Sequence, residues 1–185
     1  LRRQRQMCIR DRPSMKMPWR KNVRATLAFV FLICLSQTSL GDGRFTNLEG
    51  EAVQFSDYLQ DDRRLAVMIW SWTCPICANE MPGYAQLHDR HQDGQLTVLG
   101  ISLDGPAAVL EAWGFVEEHG AAFPNLLAAG EDVAQFFHQQ TGQSLKGTPT
   151  FLLYAPGGKL KAVQAGPVSP EGIEAFIKSQ EDARG

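Results

Sequence analysis

Past residue 41 the chain has only two cysteines, Cys74 and Cys77. A framework of structural disulfides is therefore excluded, because small exported domains that rely on one use several bridges closing long loops. Basic charge is scarce there too, with nine Lys and Arg against nineteen Asp and Glu. Nucleic acid is excluded as a partner on that ground, since phosphate contacts need a basic face. There is no internal repeat and no low-complexity tract. No apolar run reaches the roughly 20 residues of a membrane-spanning helix. At 185 residues the chain has room for one domain with a real core and, by size, for a single site.

The first 41 residues have a different character. Residues 1–14 lack hydrophobic pattern, and their QMCIRD segment matches one reading frame of a common transposon-adapter sequence. They are expected to be a non-native extension, which leaves Cys8 without a role. Residues 15–41 run from a basic start (Lys16, Arg20, Lys21, Arg24) through the apolar ATLAFVFLICL at 25–35 to a small-residue exit at Ser39 and Gly41. That layout is expected of a signal peptide cut after Gly41 or of an N-terminal anchor, with residues 25–35 as the tether. Cys34 reads as one more apolar residue of this leader. The protein is thus expected to be periplasmic or otherwise extracytoplasmic, with residues 42–185 as its one folded domain.

Within that domain, FTNLEGEAVQF from Phe45 predicts a hairpin turning at Glu49-Gly50. The apolar runs 65–72 and 96–103 predict strands buried on both faces. Helices are expected from Pro75 to His91, kinked at Pro82; from Ala107 to Glu118, with Val109, Leu110, Trp113 and Val116 inward and Gly120 closing; near 133–139; and over 171–179, opened by Ser169. TFLLY at 150–154, the turn Pro156-Gly157-Gly158 and 160–165 predict an antiparallel hairpin. The whole reads as an α/β sheet covered on both faces.

The dithiol falls at a strand-to-helix junction. A thiol attacks a disulfide only as the thiolate, and the unpaired N–H groups at a helix start favour that anion. Pro75 and Ile76 place Cys77 about one turn after Cys74 on the same side. Cys74, the more exposed and nearer to free N–H groups, is expected to be the nucleophile and Cys77 the resolving thiol. A zinc half-site is disfavoured, because no second pair exists and His88 and His91, ten residues past Cys77, are spaced unlike finger ligands. Thr148-Pro149, just before a strand, reads as a cis-proline loop or an ordinary trans proline. Beside a dithiol the first is preferred, with Thr148 offering backbone hydrogen bonds to an extended polypeptide. The four histidines read as surface residues without a role; Trp70, Trp72 and Met81 are expected in the core or at its rim.

WSWTCPICANEMP, LTVLGISLDG, FVEEHGAAFPNLL and GTPTFLLYAPGGKL together resemble the exported thioredoxin-like family of TlpA, ResA and the cytochrome c maturation reductases, over about Phe45–Ile177. The resemblance implies a thioredoxin fold, a central mixed sheet flanked by helices, with an added N-terminal β-hairpin. It implies a reductant of partner-protein disulfides, supplied with electrons by another envelope protein, since no flavin or nicotinamide site is visible and no cofactor or metal is expected. A monomer is expected. It also implies that Glu80 resembles the family's active-site glutamate, exchanging protons with the cysteines if burial raises its pKa. Two departures bear on partner choice: Thr73 stands where many relatives have tryptophan, with Trp72 one place earlier, and the segment 142–146 before the proline loop is longer. Three other activities use similar parts: a disulfide-donating oxidant, a copper(I) chaperone binding through the same thiols, and a peroxidase of the related peroxiredoxin type, whose proline-threonine setting before a lone cysteine is missing here.

Overall fold

The computed structural model describes residues 44–92 and 94–182. The expectations for residues 1–14 and for the leader, its tether and its cleavage site fall outside the described residues.

The strands are β1 (Phe45–Asn47), β2 (Ala52–Val53), β3 (Arg64–Trp70), β4 (Leu96–Ser102), β5 (Asn125–Leu127), β6 (Thr150–Tyr154) and β7 (Leu160–Ala165). They form one seven-stranded sheet in the order β2-β1-β5-β4-β3-β6-β7. β3 pairs in parallel with β4, and β4 with β5; every other pairing is antiparallel. The helices are α1 (Pro75–Arg90), α2 (Val109–Glu118), α3 (Gly130–Thr141) and α4 (Pro170–Asp182).

Side-chain alternation along the central strands builds two cores. Ala66, Met68 and Trp70 of β3, with Phe151 and Leu153 of β6, face a layer that includes Tyr84, Leu87, Ala112, Phe115 and Ile173, so α1, α2 and α4 cover this side. Leu65, Val67 and Ile69, with Leu152 and Tyr154, face Phe55 and the α3 residues Val133, Phe136 and Phe137 on the other. Period-two burial of both faces is why these strands read as continuous apolar runs.

The N-terminal hairpin is present, with Phe45 opposite Val53, and it adds to the sheet through β5. Two details differ from the sequence reading. β5 was not foreseen: with only three residues after Pro124, it carries too little pattern to register as a strand, yet all three are buried. In α2 the buried residues are Ala112, Phe115 and Val116, whereas Leu110 and Trp113, expected inward, are 79% and 53% exposed. The helix is apolar enough around its circumference to fit two stripes, and the stacking of Phe115 on Trp70 at 4.9 Å goes with the second.

Candidate active site

Three chain segments meet at one end of the sheet. β3 and β4 are parallel and in register, Trp70 beside Ser102, so the bend after β3 and the segment after β4 emerge together. β6 runs antiparallel to β3 with Thr150 opposite Ile69, so the residues before β6 arrive at the same end. Residues 71–74, Asp104 and Thr148-Pro149 thus converge because of strand direction, although they are far apart in sequence.

Cys74 is the N-cap of α1, in an extended conformation (φ −91°, ψ 107°) that a helix-starting residue adopts, with Pro75 in the first turn. Its Sγ accepts the Cys77 backbone N–H at 3.1 Å. The thiol lies 3.5 Å from the Thr148 carbonyl oxygen, to which it can donate. The Thr148–Pro149 bond is cis. Two hydrogen bonds hold that loop, Thr150 Oγ1 to the Gly147 carbonyl at 2.6 Å and Gly166 N–H to the Pro149 carbonyl at 2.9 Å. Pro149 is itself buried while Thr148 is half-buried, so contact with anything docked at the loop falls to Thr148.

The two sulfurs sit in unlike surroundings. Cys74 is half-buried and Cys77 fully buried, and both are free thiols. Burial pushes the Cys74 thiol up, but the hydrogen bonds from the Cys77 and Thr148 side chains and the backbone N–H groups of Cys77 and Ile76 outweigh it and hold the group below the ordinary thiol range. Burial, reinforced by the hydrogen bond to Cys74 and that sulfur's charge, pushes Cys77 up to about 12. One thiol therefore ionises readily while its neighbour keeps a proton. The rate of Cys74 alkylation should accordingly rise with pH with a midpoint below that of a free cysteine, since only the thiolate reacts. Cys77 should stay unmodified over that window; iodoacetamide rates resolved by mass spectrometry at each pH check both, and a Cys74 midpoint at or above the free-cysteine value would contradict the geometry.

Around Cys74 lies an apolar, open rim: Trp72 and Ile76 are 42% and 47% exposed, and Pro75 is exposed beside them. Glu80 is half-buried on α1, flanking the buried stripe of Cys77, Met81 and Tyr84, and its charge adds to the burial that raises the Tyr84 hydroxyl. Trp70 and Met81 are wholly buried. His88 departs from the surface reading: it is half-buried against Phe123, and burial lowers its pKa. The residues missed from sequence are Ser71, Ser102 and Asp104, joined with Thr73 by hydrogen bonds behind the bend. A signal for them was available in the apolar runs 65–72 and 96–103, each of which carries a serine, Ser71 or Ser102, one residue before its end.

Comparison with solved structures shows the thioredoxin fold. The thioredoxin domain of a thiol-disulfide oxidoreductase from Bacteroides vulgatus is 20% identical with a TM-score of 0.59, covering 75% of this chain and 95% of its own. A secreted Mycobacterium tuberculosis disulfide oxidoreductase homologous to E. coli DsbE is 21% identical with a TM-score of 0.57, covering 72% and 92%. StoA from Bacillus subtilis is 17% identical with a TM-score of 0.56, covering 74% and 94%. No curated protein matches the chain. The AhpC/TSA family model matches residues 38–163, which takes in the cysteine pair, Asp104 and the proline loop, and the chain belongs to that AhpC/TSA family.

Proposed function

We propose that the protein is an exported thiol:disulfide oxidoreductase that reduces disulfides in partner proteins through Cys74 and Cys77. The observation that carries the reading is the contrast between the two thiols. A half-buried Cys74 at a helix N-terminus accepts the Cys77 N–H at 3.1 Å, and a buried Cys77 one turn on retains its proton. The Cys74 thiolate attacks one sulfur of a partner disulfide, forming a mixed disulfide and releasing the partner's other sulfur as a thiolate. Cys77 then gives up its proton and attacks Cys74 Sγ. The Cys74–Cys77 disulfide forms, the second partner sulfur leaves, and two electrons have passed to the partner. Thr148 lies where it can hydrogen-bond an extended partner segment, with Pro75 and Ile76 as apolar contacts and Pro149 fixing the loop beneath. Glu80, near Cys77 along the helix, is a route for the Cys77 proton. Because the pair emerges oxidised, a dithiol protein of the cell envelope must reduce it again; cytochrome c maturation is one process with that requirement. The solved relatives include a secreted disulfide oxidoreductase, which supports the exported placement.

Redox titration of the mature domain against glutathione or dithiothreitol, read by thiol alkylation, tests the reading. A potential near thioredoxin's roughly −270 mV is the expected result, whereas one near −120 mV reverses the direction and makes the protein a disulfide donor. If no Cys74–Cys77 disulfide forms and the dithiol instead binds copper(I) tightly, the protein is a metal chaperone.

A further inference from the structure

The bend between β3 and α1 is tied to a carboxylate on the neighbouring strand. Asp104, two residues past the end of β4, accepts the Ser71 hydroxyl at 2.6 Å, the Ser102 hydroxyl at 2.8 Å and the Trp72 backbone N–H at 3.0 Å. Since the Ser71 proton goes to the carboxylate, the 3.0 Å contact between the Ser71 and Thr73 hydroxyls has Thr73 as donor. The Thr73 N–H also points to Ser71 Oγ at 3.3 Å, and the Ser71 carbonyl accepts the Cys74 N–H at 3.1 Å. Each residue of the bend is thus linked to Asp104 directly or through Ser71. Trp72 and Thr73 are exposed, whereas Ser71 and Ser102 at the base of the bend are 5% and 0% exposed.

We propose that Asp104 is a positioning residue for the nucleophile: by holding residues 71–73 it sets where Cys74 Sγ lies relative to the Cys77 N–H. This rests on the oxidoreductase reading of the pair. An aspartate is suited to the place because its two oxygens have lone pairs for all three donors at once. An asparagine has a single acceptor oxygen and turns an NH2 toward donors, so at least one of the three loses its partner. Ser71 carries the tie onward to Thr73 and Cys74. The groups that face Cys74 are Cys77 on α1 and Thr148 on the loop before β6, and Asp104 reaches it only through the bend.

The test compares the parent protein with Asp104→Asn and Ser71→Ala, with folding checked by urea denaturation. Iodoacetamide alkylation of Cys74 against pH is the readout, because a purely structural role lowers the urea midpoint without moving the alkylation midpoint. The Cys74 midpoint is expected to move up by about half a pH unit or more in Asp104→Asn, which is a several-fold loss of thiolate at neutral pH, with the high-pH plateau unchanged. Ser71→Ala, which keeps the Trp72 contact, is expected to shift it in the same direction by less. A folded Asp104→Asn protein whose profile superimposes on the parent's overturns the proposal. If that variant does not fold, Ser71→Ala decides alone, and an unmoved profile there is equally fatal. Failure of the parent to form a Cys74–Cys77 disulfide sinks the oxidoreductase reading separately, since the alkylation comparison does not depend on disulfide formation.

Discussion

Replacement of Cys74 by serine is expected to abolish reduction of partner disulfides, with a fall of at least ~10^4-fold in rate, the scale seen when a nucleophile is removed outright. A serine hydroxyl at the helix start can accept the same Cys77 N–H, so the fold has no reason to suffer. What is lost is the ability to carry negative charge at neutral pH. The companion Cys77→Ser variant has a different expected phenotype. It keeps the half-buried thiolate and attacks normally, but nothing remains to displace the partner from Cys74, so a mixed disulfide accumulates that runs as a single band without reductant and separates with it. Both experiments turn on the asymmetry between a half-buried sulfur with lowered pKa and a buried one pushed up to about 12. Trapping of partners by Cys74→Ser rather than Cys77→Ser would exchange the two roles.

Gly100→Ala is expected to give the largest loss of stability of any single methyl addition at a glycine in the described residues. A Cβ there would lie 1.8 Å from Asn125 Oδ1 and 2.8 Å from both Asn125 Cγ and Trp70 Nε1, closer than at any other glycine. The crowding has a cause in the packing. Trp70 is wholly buried, its indole N–H needs an acceptor, and Asn125 Oδ1 supplies it at 3.2 Å while Asn125 Nδ2 is held by the Phe123 carbonyl at 2.8 Å. That amide occupies the space a side chain at position 100 would take. Overpacking of a core and an orphaned buried donor each cost about 1–3 kcal/mol, so the variant should lose roughly 2–6 kcal/mol. A domain of this size is stable by only about 5–15 kcal/mol, and the urea midpoint should fall sharply at unchanged slope. Asn125→Ala orphans the same indole but removes the closer clash, leaving only that with Trp70 Nε1, so Gly100→Ala should cost less in that background. Strict additivity of the two changes would show that Gly100 is not there to admit the amide.

Trp70, Gly100 and Asn125 show where sequence reading stopped. Residues 65–72 and 96–103 announce buried strands because apolar side chains point to both faces, and local pattern suffices for that. Nothing local shows that a glycine in one strand makes room for an amide three strand lengths away in sequence, because the register between β4 and β5 decides it. The same holds for β5 itself, whose three buried residues are stabilised as a strand by β4 on one side and β1 on the other. In α2, Leu110 and Trp113 fit a helical stripe as well as Phe115 does, and only the Trp70 ring standing above the sheet selects the stripe that packs.

The candidate site divides along the same line. By sequence alone the candidate site falls on two cysteines a helical turn apart after an apolar strand, because spacing, the proline at the helix start and the scarcity of other thiols are all local or compositional facts. Only the tertiary structure decided how unlike the two sulfurs are, which loop faces them and which carboxylate holds the bend in front of them. The distance from Cys74 to Thr148 and from Ser71 to Asp104 is set by the directions of β3, β4 and β6. Burial, which separates the acidities of Cys74 and Cys77, comes from the layer those strands and α1 build together.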